Sequence, residues 1–272
     1  EEHLHVKVYF HKLGDNPDND ELVFGEGRPK DDMIEISLSL DGRYLGIQVS
    51  HAWTENEVYV YDRKTHEIKP IVVGIHSKFA IRFLENKVLI GTDYKANNGR
   101  VLQSAYEDMS RSVDEWEEFI PEREFVLESF YVTKDKILAE YLVNACSEVV
   151  TFNHKGEKTG EIPLPRYSSL SGITARRDEE EFFYGVDSFI FPKILYRYDP
   201  TTESYEEYRR TENPINPDDY EVEQKWYASK DGTKVPAFIF HKKSLVLDGT
   251  HPTILYGYGG FGSKQTPVFM RS

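Results

Sequence analysis

The feature that most narrows what this chain can become is a unit that recurs along it. Residues 34–39 alternate apolar and polar side chains, Leu40-Asp41-Gly42-Arg43 forms a tight turn, and residues 44–49 make a second apolar run. Period-two alternation marks a half-buried strand, and an Asp-Gly turn between two such runs is a strong hairpin signal. Residues 57–62 and 68–73 add two more strands across the turn Arg63-Lys64-Thr65-His66. The hairpin returns in residues 79–83 and 88–92 around Glu85-Asn86-Lys87, and in 130–132 and 137–142 around Lys134-Asp135-Lys136. It returns again in 171–175 and 181–184 around Arg177-Asp178-Glu179, followed by a strand pair over 193–199 and 205–208. The turns at Asp41, Glu85, Asp135 and Asp178 lie about 45 residues apart, four strands apiece, which is the period of β-propeller blades. A small sandwich or barrel has short strands without so long a period. The expected fold is mainly β, a partial β-propeller. Residues 1–210 hold four full blades and part of a fifth, an incomplete ring.

Composition agrees. Aromatic residues make up 14% of the 272, with 18 Tyr and 16 Phe, and such side chains pack well on a pleated surface. A formal charge of −14 argues against nucleic acid, whose phosphates call for a basic face. No stretch of about 18 apolar residues occurs, so no transmembrane helix is expected. Glu1-Glu2-His3-Leu4-His5 lacks an apolar core, so no signal peptide is visible. The single cysteine, Cys146, excludes an internal disulfide and fits a reducing compartment. With no CxxC partner or neighbouring His it reads as a half-buried small residue. The pair His3 and His5 would share one face of a strand, but no third ligand is near. The acidic loop from Gly14 to Asp20 lacks the glycine and the bidentate Glu that an EF-hand loop needs. Neither metal nor cofactor is expected.

Residues 212–219, punctuated by Pro214 and Pro217, read as a linker. The expected division is therefore blades over 1–211, linker over 212–219, and a separate region over 220–272. In that last region residues 220–228 and 234–241 form a hairpin around Ser229-Lys230-Asp231-Gly232-Thr233. A polar loop leads on to Ile254-Leu255-Tyr256, read as a buried strand that empties into Gly257-Tyr258-Gly259-Gly260-Phe261-Gly262. Glycines there let a ligand approach the backbone closely. Gly257, Gly259 and Gly262 formally match G-x-G-x-x-G. That fingerprint needs a helix on its last glycine, and Pro267 stands in the way. There is no G-x-S-x-G nucleophile elbow and no HExxH, so the residues hold no complete catalytic set. On chemistry alone, Tyr258 and Phe261 read as an aromatic pair packing a tight strand exit.

The run from Asp231 to Lys243, then Leu247-Asp248-Gly249-Thr250-His251-Pro252, then Leu255-Tyr256-Gly257-Tyr258-Gly259-Gly260-Phe261 closely resembles the opening of the α/β-hydrolase domain in the prolyl oligopeptidase family. Asp187-Ser188-Phe189-Ile190-Phe191-Pro192 and Asp218-Asp219-Tyr220 resemble the later part of that family's seven-bladed propeller. The resemblance spans essentially the whole chain, tightly from about Asp187 to Pro267. It implies that residues 220–272 are the first strands of an α/β-hydrolase domain. Gly260-Phe261 favours the proline-cleaving branch over the oligopeptidase B group, which cuts after Lys or Arg and tends to carry Ser-Tyr there. By the resemblance, Tyr258 supports the oxyanion and Phe261 lines the pocket for the substrate proline. The Ser, Asp and His triad lies downstream of residue 272, so this chain alone is expected to be inactive. The whole would be a cytoplasmic serine peptidase acting on short proline-containing peptides, with the propeller gating entry and the remainder of its own catalytic domain as partner. The family's propeller-side phenylalanine finds no match in Gly25-Glu26-Gly27-Arg28-Pro29. The alternative is a non-catalytic propeller scaffold with an exposed apolar patch on one face.

Overall fold

A computed structural model describes residues 4–51, 53–260 and 263–270. They form two compact units, Glu1–Glu124 and Phe125–Ser272. In the first, β1 (Val8–Phe10) pairs with β2 (Glu21–Phe24). β3 (Met33–Leu38), β4 (Tyr44–Ser50), β5 (Asn56–Asp62) and β6 (Glu67–Val72) make a four-stranded sheet in chain order. β7 (Phe79–Phe83), β8 (Lys87–Thr92), β9 (Arg100–Ala105) and β10 (Glu117–Ile120) make another. In the second unit β11 (Val126–Val132), β12 (Ile137–Val143), β13 (Cys146–Phe152) and β14 (Lys158–Ile162) form one such sheet. β15 (Ser168–Ala175), β16 (Phe182–Ser188), β17 (Ile194–Asp199) and β18 (Ser204–Arg210) form the next. A two-stranded ribbon of β19 (Tyr220–Ala228) and β20 (Lys234–Lys242) follows. Every neighbouring pair is antiparallel. The period seen in the sequence is thus realised as four up-and-down sheets of four strands, the blade pattern.

The middle strands are covered on both faces, which is why they read as apolar runs rather than clean alternation. Val88, Leu89 and Ile90 of β8 are all fully buried, as are Ile137, Leu138 and Ala139 of β12. Val58, Val60, Ile81, Phe83, Ile90 and Leu102 build one core, joined by Trp116. Leu138, Val149, Phe182, Tyr184, Val186 and Tyr198 build another. The outer strand β10 carries Glu117 and Glu118 and is short, as edge strands tend to be; such a segment shows little alternation.

Two of the four blade turns and the ribbon turn share a device. In Ser39-Leu40-Asp41 the hydroxyl donates to the Asp41 carboxylate at 2.6 Å, and the Arg43 N–H donates to the same oxygen at 3.0 Å. Thr133 donates to Asp135 at 3.1 Å, and Ser229 donates to Asp231 in the ribbon. A hydroxyl and an aspartate two residues on close the turn locally, which makes these hairpins legible from sequence.

Two expectations are corrected. Residues 4–11 alternate apolar and polar side chains, which predicts a strand over that whole stretch, but the strand is only Val8–Phe10, interrupted by a register shift between Val8 and Tyr9. The buried strand expected at Ile254-Leu255-Tyr256 is absent: Ile254 and Leu255 are 95% and 97% exposed. A strand exists through its ladder, and no described segment pairs with 254–256. After β20 the described residues contain no strand, so they form no α/β-hydrolase domain, only its expected entrance ribbon.

Candidate functional site

The glycine loop is reached through the ribbon. Asn216 caps the turn Pro217–Asp219 by accepting the Asp218 N–H at 3.2 Å. The Lys243 N–H donates to the Asp219 carbonyl at 2.9 Å, closing the open end of the ribbon. Phe238 and Phe240 lie on one face of β20, two residues apart. Phe189 stacks on Phe240 at 5.1 Å and tilts against Phe238 at 5.1 Å, while Tyr167 meets Phe238 edge-on at 5.7 Å. Such ring pairs contribute beyond their buried area. The motif Asp187-Ser188-Phe189 therefore holds the ribbon against the β15–β18 sheet. From the partner strand, Gln224, directly across from Phe238, donates to the Asn144 carbonyl at 2.6 Å.

Beyond an Asp248–Thr250 turn held at 2.7 and 3.0 Å, residues 252–259 run without regular pairing. Tyr258 is 54% exposed, and its ring lies over Gly260, where an added Cβ would stand 3.4 Å from the phenol oxygen. Phe261 lies outside the described residues. The chain resumes as a strap over 263–270. Lys264 pairs with Glu128 of β11, Pro267 is buried, and the Asp187 carboxylate accepts the Phe269 N–H. Burial pushes the Asp187 carboxyl up, with Lys193 and the Phe269 amide pulling it back. Burial also raises Glu140, opposed by the Ser147 hydroxyl at 3.0 Å and by Lys264. Cys146 is half-buried, and burial pushes its thiol up to about 11, which leaves it a poor nucleophile.

What this arrangement offers chemically is two exposed phenols, Tyr256 and Tyr258, on an open run. Among the described residues no Ser–His or Cys–His hydrogen bond is found, and no group of three or more ligands could hold a metal. No described helix is long and apolar enough to cross a membrane. A cleft of about 650 Å³ lies beside the linker, lined by Phe191, Pro192, Arg210, Asn213, Ile215 and Pro217, and Tyr258 is not part of it.

The sequence reading missed a charged cluster in the first unit, where it had looked for an apolar pocket residue. Arg28 donates to Asp32 at 2.7 Å, to Glu57 at 2.9 Å and to Tyr59 at 3.3 Å, over the rings of Phe24 and Tyr59. His51 bridges Asp32 at 2.9 Å and Glu57 at 3.3 Å. Burial opposes the charged form of Asp32, but hydrogen bonds from His51 and Arg28 outweigh it and its carboxyl falls below the usual range. Strand register was the signal that could have found it. Met33 pairs with Ser50 and Ser50 with Asn56, so Asp32, His51 and Glu57 are brought to one sheet end.

The description "Prolyl oligopeptidase, N-terminal beta-propeller domain" matches residues 1–211. The prolyl endopeptidase of Elizabethkingia meningoseptica is 32% identical over 265 residues, 97% of this chain and 37% of the relative. Prolyl oligopeptidase A of Galerina marginata is 30% identical, over 98% of this chain and 37% of its own length. A solved chain from a structural and mechanistic study of two prolyl endopeptidases superposes with a TM-score of 0.86 at 31% identity, covering 97% of this chain and 39% of that one. Prolyl oligopeptidase B from Galerina marginata, bound to a 25mer macrocyclization substrate, also gives 0.86, at 27% identity over 98% of this chain and 38% of that one. The chain thus spans well under half the length of the relatives it matches. On the strength of four blade-like sheets, the entrance ribbon and these matches, the chain belongs to the prolyl oligopeptidase family.

Proposed function

We propose that this chain is the propeller and catalytic-domain entrance of a serine peptidase that cleaves short peptides after proline. The observation that carries the reading is the family match, together with a ribbon docked by Phe189, Phe238 and Phe240 that delivers Tyr258 on an open, glycine-rich loop. In this reading the Tyr258 hydroxyl donates to the oxyanion of the tetrahedral intermediate, Phe261 lines the proline pocket, and the propeller limits entry to small flexible peptides. The exposed Ile254 and Leu255 are the surface that the remainder of the catalytic domain covers. The division is blades over 1–211, linker over 212–219 and hydrolase entrance over 220–272. A cytoplasmic location is part of the proposal, supported by the lone cysteine.

The test uses the longer protein that carries this chain, with a chromogenic proline peptide. Tyr258→Phe removes one preorganised donor and is expected to lower kcat by about 10² or more with folding intact; unchanged turnover removes Tyr258 from this role. This chain by itself is expected to give no turnover. Cleavage by it that a serine-directed inhibitor abolishes would overturn the proposed division of labour. A non-catalytic scaffold is a second reading, favoured by Ile36 and Leu38, exposed on one face of the edge strand β3. It requires the longer protein to lack peptidase turnover.

A further inference from the structure

The glycine loop has little of its own to hold it. Nothing lies within 4 Å of where a Cβ would stand on Gly257 or Gly259, and residues 252–259 have no regular pairing. Its order must come from its ends. On the upstream side the ribbon is docked, but residues 243–257, with no strand or helix among them, separate it from Tyr258. On the downstream side the first side-chain anchor among the described residues is Lys264, paired with Glu128.

Glu128 is placed for this partner by an irregularity of β11. The β11–β12 register shifts between Leu127 and Ser129, which pair with the consecutive residues Tyr141 and Glu140. Glu128 is therefore the extra residue of a β-bulge, and bulges re-aim a side chain away from the ladder. The second carboxylate within electrostatic reach of Lys264 is Glu140. It is fixed by the Ser147 hydroxyl at 3.0 Å, and the Ser147 oxygen in turn accepts the Leu170 N–H at 2.9 Å. The acidic side of the contact is thus set in sheet, and the basic side rides on the strap. Further along, the buried Pro267 and the Phe269 N–H to Asp187 hold the strap's far end.

We propose that Lys264 is a positioning residue, whose ion pair with the bulged Glu128 pins the downstream end of the glycine loop to the β11–β14 sheet and so sets where Tyr258 stands. The catalytic half of this inference rests on the reading of Tyr258 given above; the pinning half does not. Both partners are partly exposed, so the pin is weak and salt-sensitive, a bias on loop position rather than a lock.

The pinning half is tested on this chain by amide hydrogen exchange of peptides covering 260–270, where the Ser263 N–H donates to the Gly260 carbonyl at 3.0 Å and the Phe269 N–H to the Asp187 carboxylate. Lys264→Met is expected to speed exchange there by about two- to five-fold, the range of an exposed ion pair. About 0.5 M salt should do the same to the wild type and nothing further to the variant. Lys264→Arg should retain protection, and Lys264→Glu combined with Glu128→Lys should recover it. Exchange that is unchanged in Lys264→Met and insensitive to salt overturns the pin. In the longer peptidase, Lys264→Met should lower kcat by a similar factor at nearly constant KM, with Lys264→Arg restoring it. Faster exchange with unchanged kcat overturns the positioning role. An inert Tyr258→Phe overturns the Tyr258 reading instead, and exchange then decides the pin by itself.

Discussion

Gly46 of β4 gives the most direct test of how the sheets of the first unit pack. Its backbone lies outside the positive-φ region, so the residue is not there for conformational freedom. A Cβ at this position would stand 2.9 Å from Ile81 Cγ2, 2.9 Å from Ser37 Oγ and 3.1 Å from Phe83 Cε2. Ile81 and Phe83 are themselves almost wholly buried, so neither can swing aside. Overpacking of this kind costs about 1–3 kcal/mol. Alanine returns about 0.5–1 kcal/mol by restricting the unfolded chain. Gly46→Ala should therefore destabilise the first unit by about 0.5–2 kcal/mol. Gly185 of β16 is the control. Its Cβ would meet the Ser171 hydroxyl at 2.5 Å and the Lys193 chain at 3.5 Å, groups that can turn away, so Gly185→Ala should lie between neutral and about 0.5 kcal/mol more stable. The two compact units need not unfold together, so each variant is read on its own unit. Trp116 is buried in the same core as Ile81 and Phe83, whereas Trp53 and Trp226 are exposed; tryptophan fluorescence in urea therefore follows the Gly46 site. Hydrogen exchange in β16 follows Gly185. A Gly46→Ala protein as stable as the wild type, or a costlier Gly185→Ala, would refute the packing argument.

Further outcomes follow from single sites. Val143 pairs with Cys146 across a two-residue turn in which Asn144 and Ala145 both have positive φ, 50° and 62°. Left-handed alanine costs about 1–2 kcal/mol and glycine adds about 0.5–1 kcal/mol of chain entropy, so Ala145→Gly should raise the melting temperature slightly; a fall would contradict the assignment. The His51 imidazole is raised chiefly by its hydrogen bond to Asp32, against burial. Because the folded value is the higher one, its stabilisation is complete below the unfolded value of about 6.5 and is lost as pH rises through the folded value. The stability gap between wild type and His51→Gln should shrink towards alkaline pH; a constant gap would remove the cluster from pH linkage. Asp32 and Glu57 are held low, so their contribution is lost at the other end, as pH falls below about 4. Phe238→Ala removes ring contacts to Phe189 and Tyr167 and should loosen the ribbon by about 1–2 kcal/mol, seen as faster exchange in β19 and β20; unchanged exchange would mean the ribbon is held elsewhere.

How much of this was legible in the chain depends on whether the cause was local. Blade period, turn positions and the ribbon over 220–242 follow from alternation two residues apart and from turns such as Ser39-Leu40-Asp41, which close on themselves. The outer strand β10 escaped because a short charged edge has no apolar pattern to show.

The glycine loop marks the limit from the other side. Its composition and its resemblance to a peptidase motif were plain in the sequence, as were Tyr258 and Phe261 as candidates. That Ile254 and Leu255 are uncovered, that Tyr258 lies over Gly260, and that Lys264 meets a bulged Glu128 were not. The Arg28–Asp32–His51–Glu57 cluster was hidden in the same way. By itself the sequence determined the repeating blade hairpins, the entrance ribbon, their turns and the family. Tertiary structure alone decided which distant charges meet and which apolar residues are covered, because those depend on register and on partners far along the chain, and no local pattern records them.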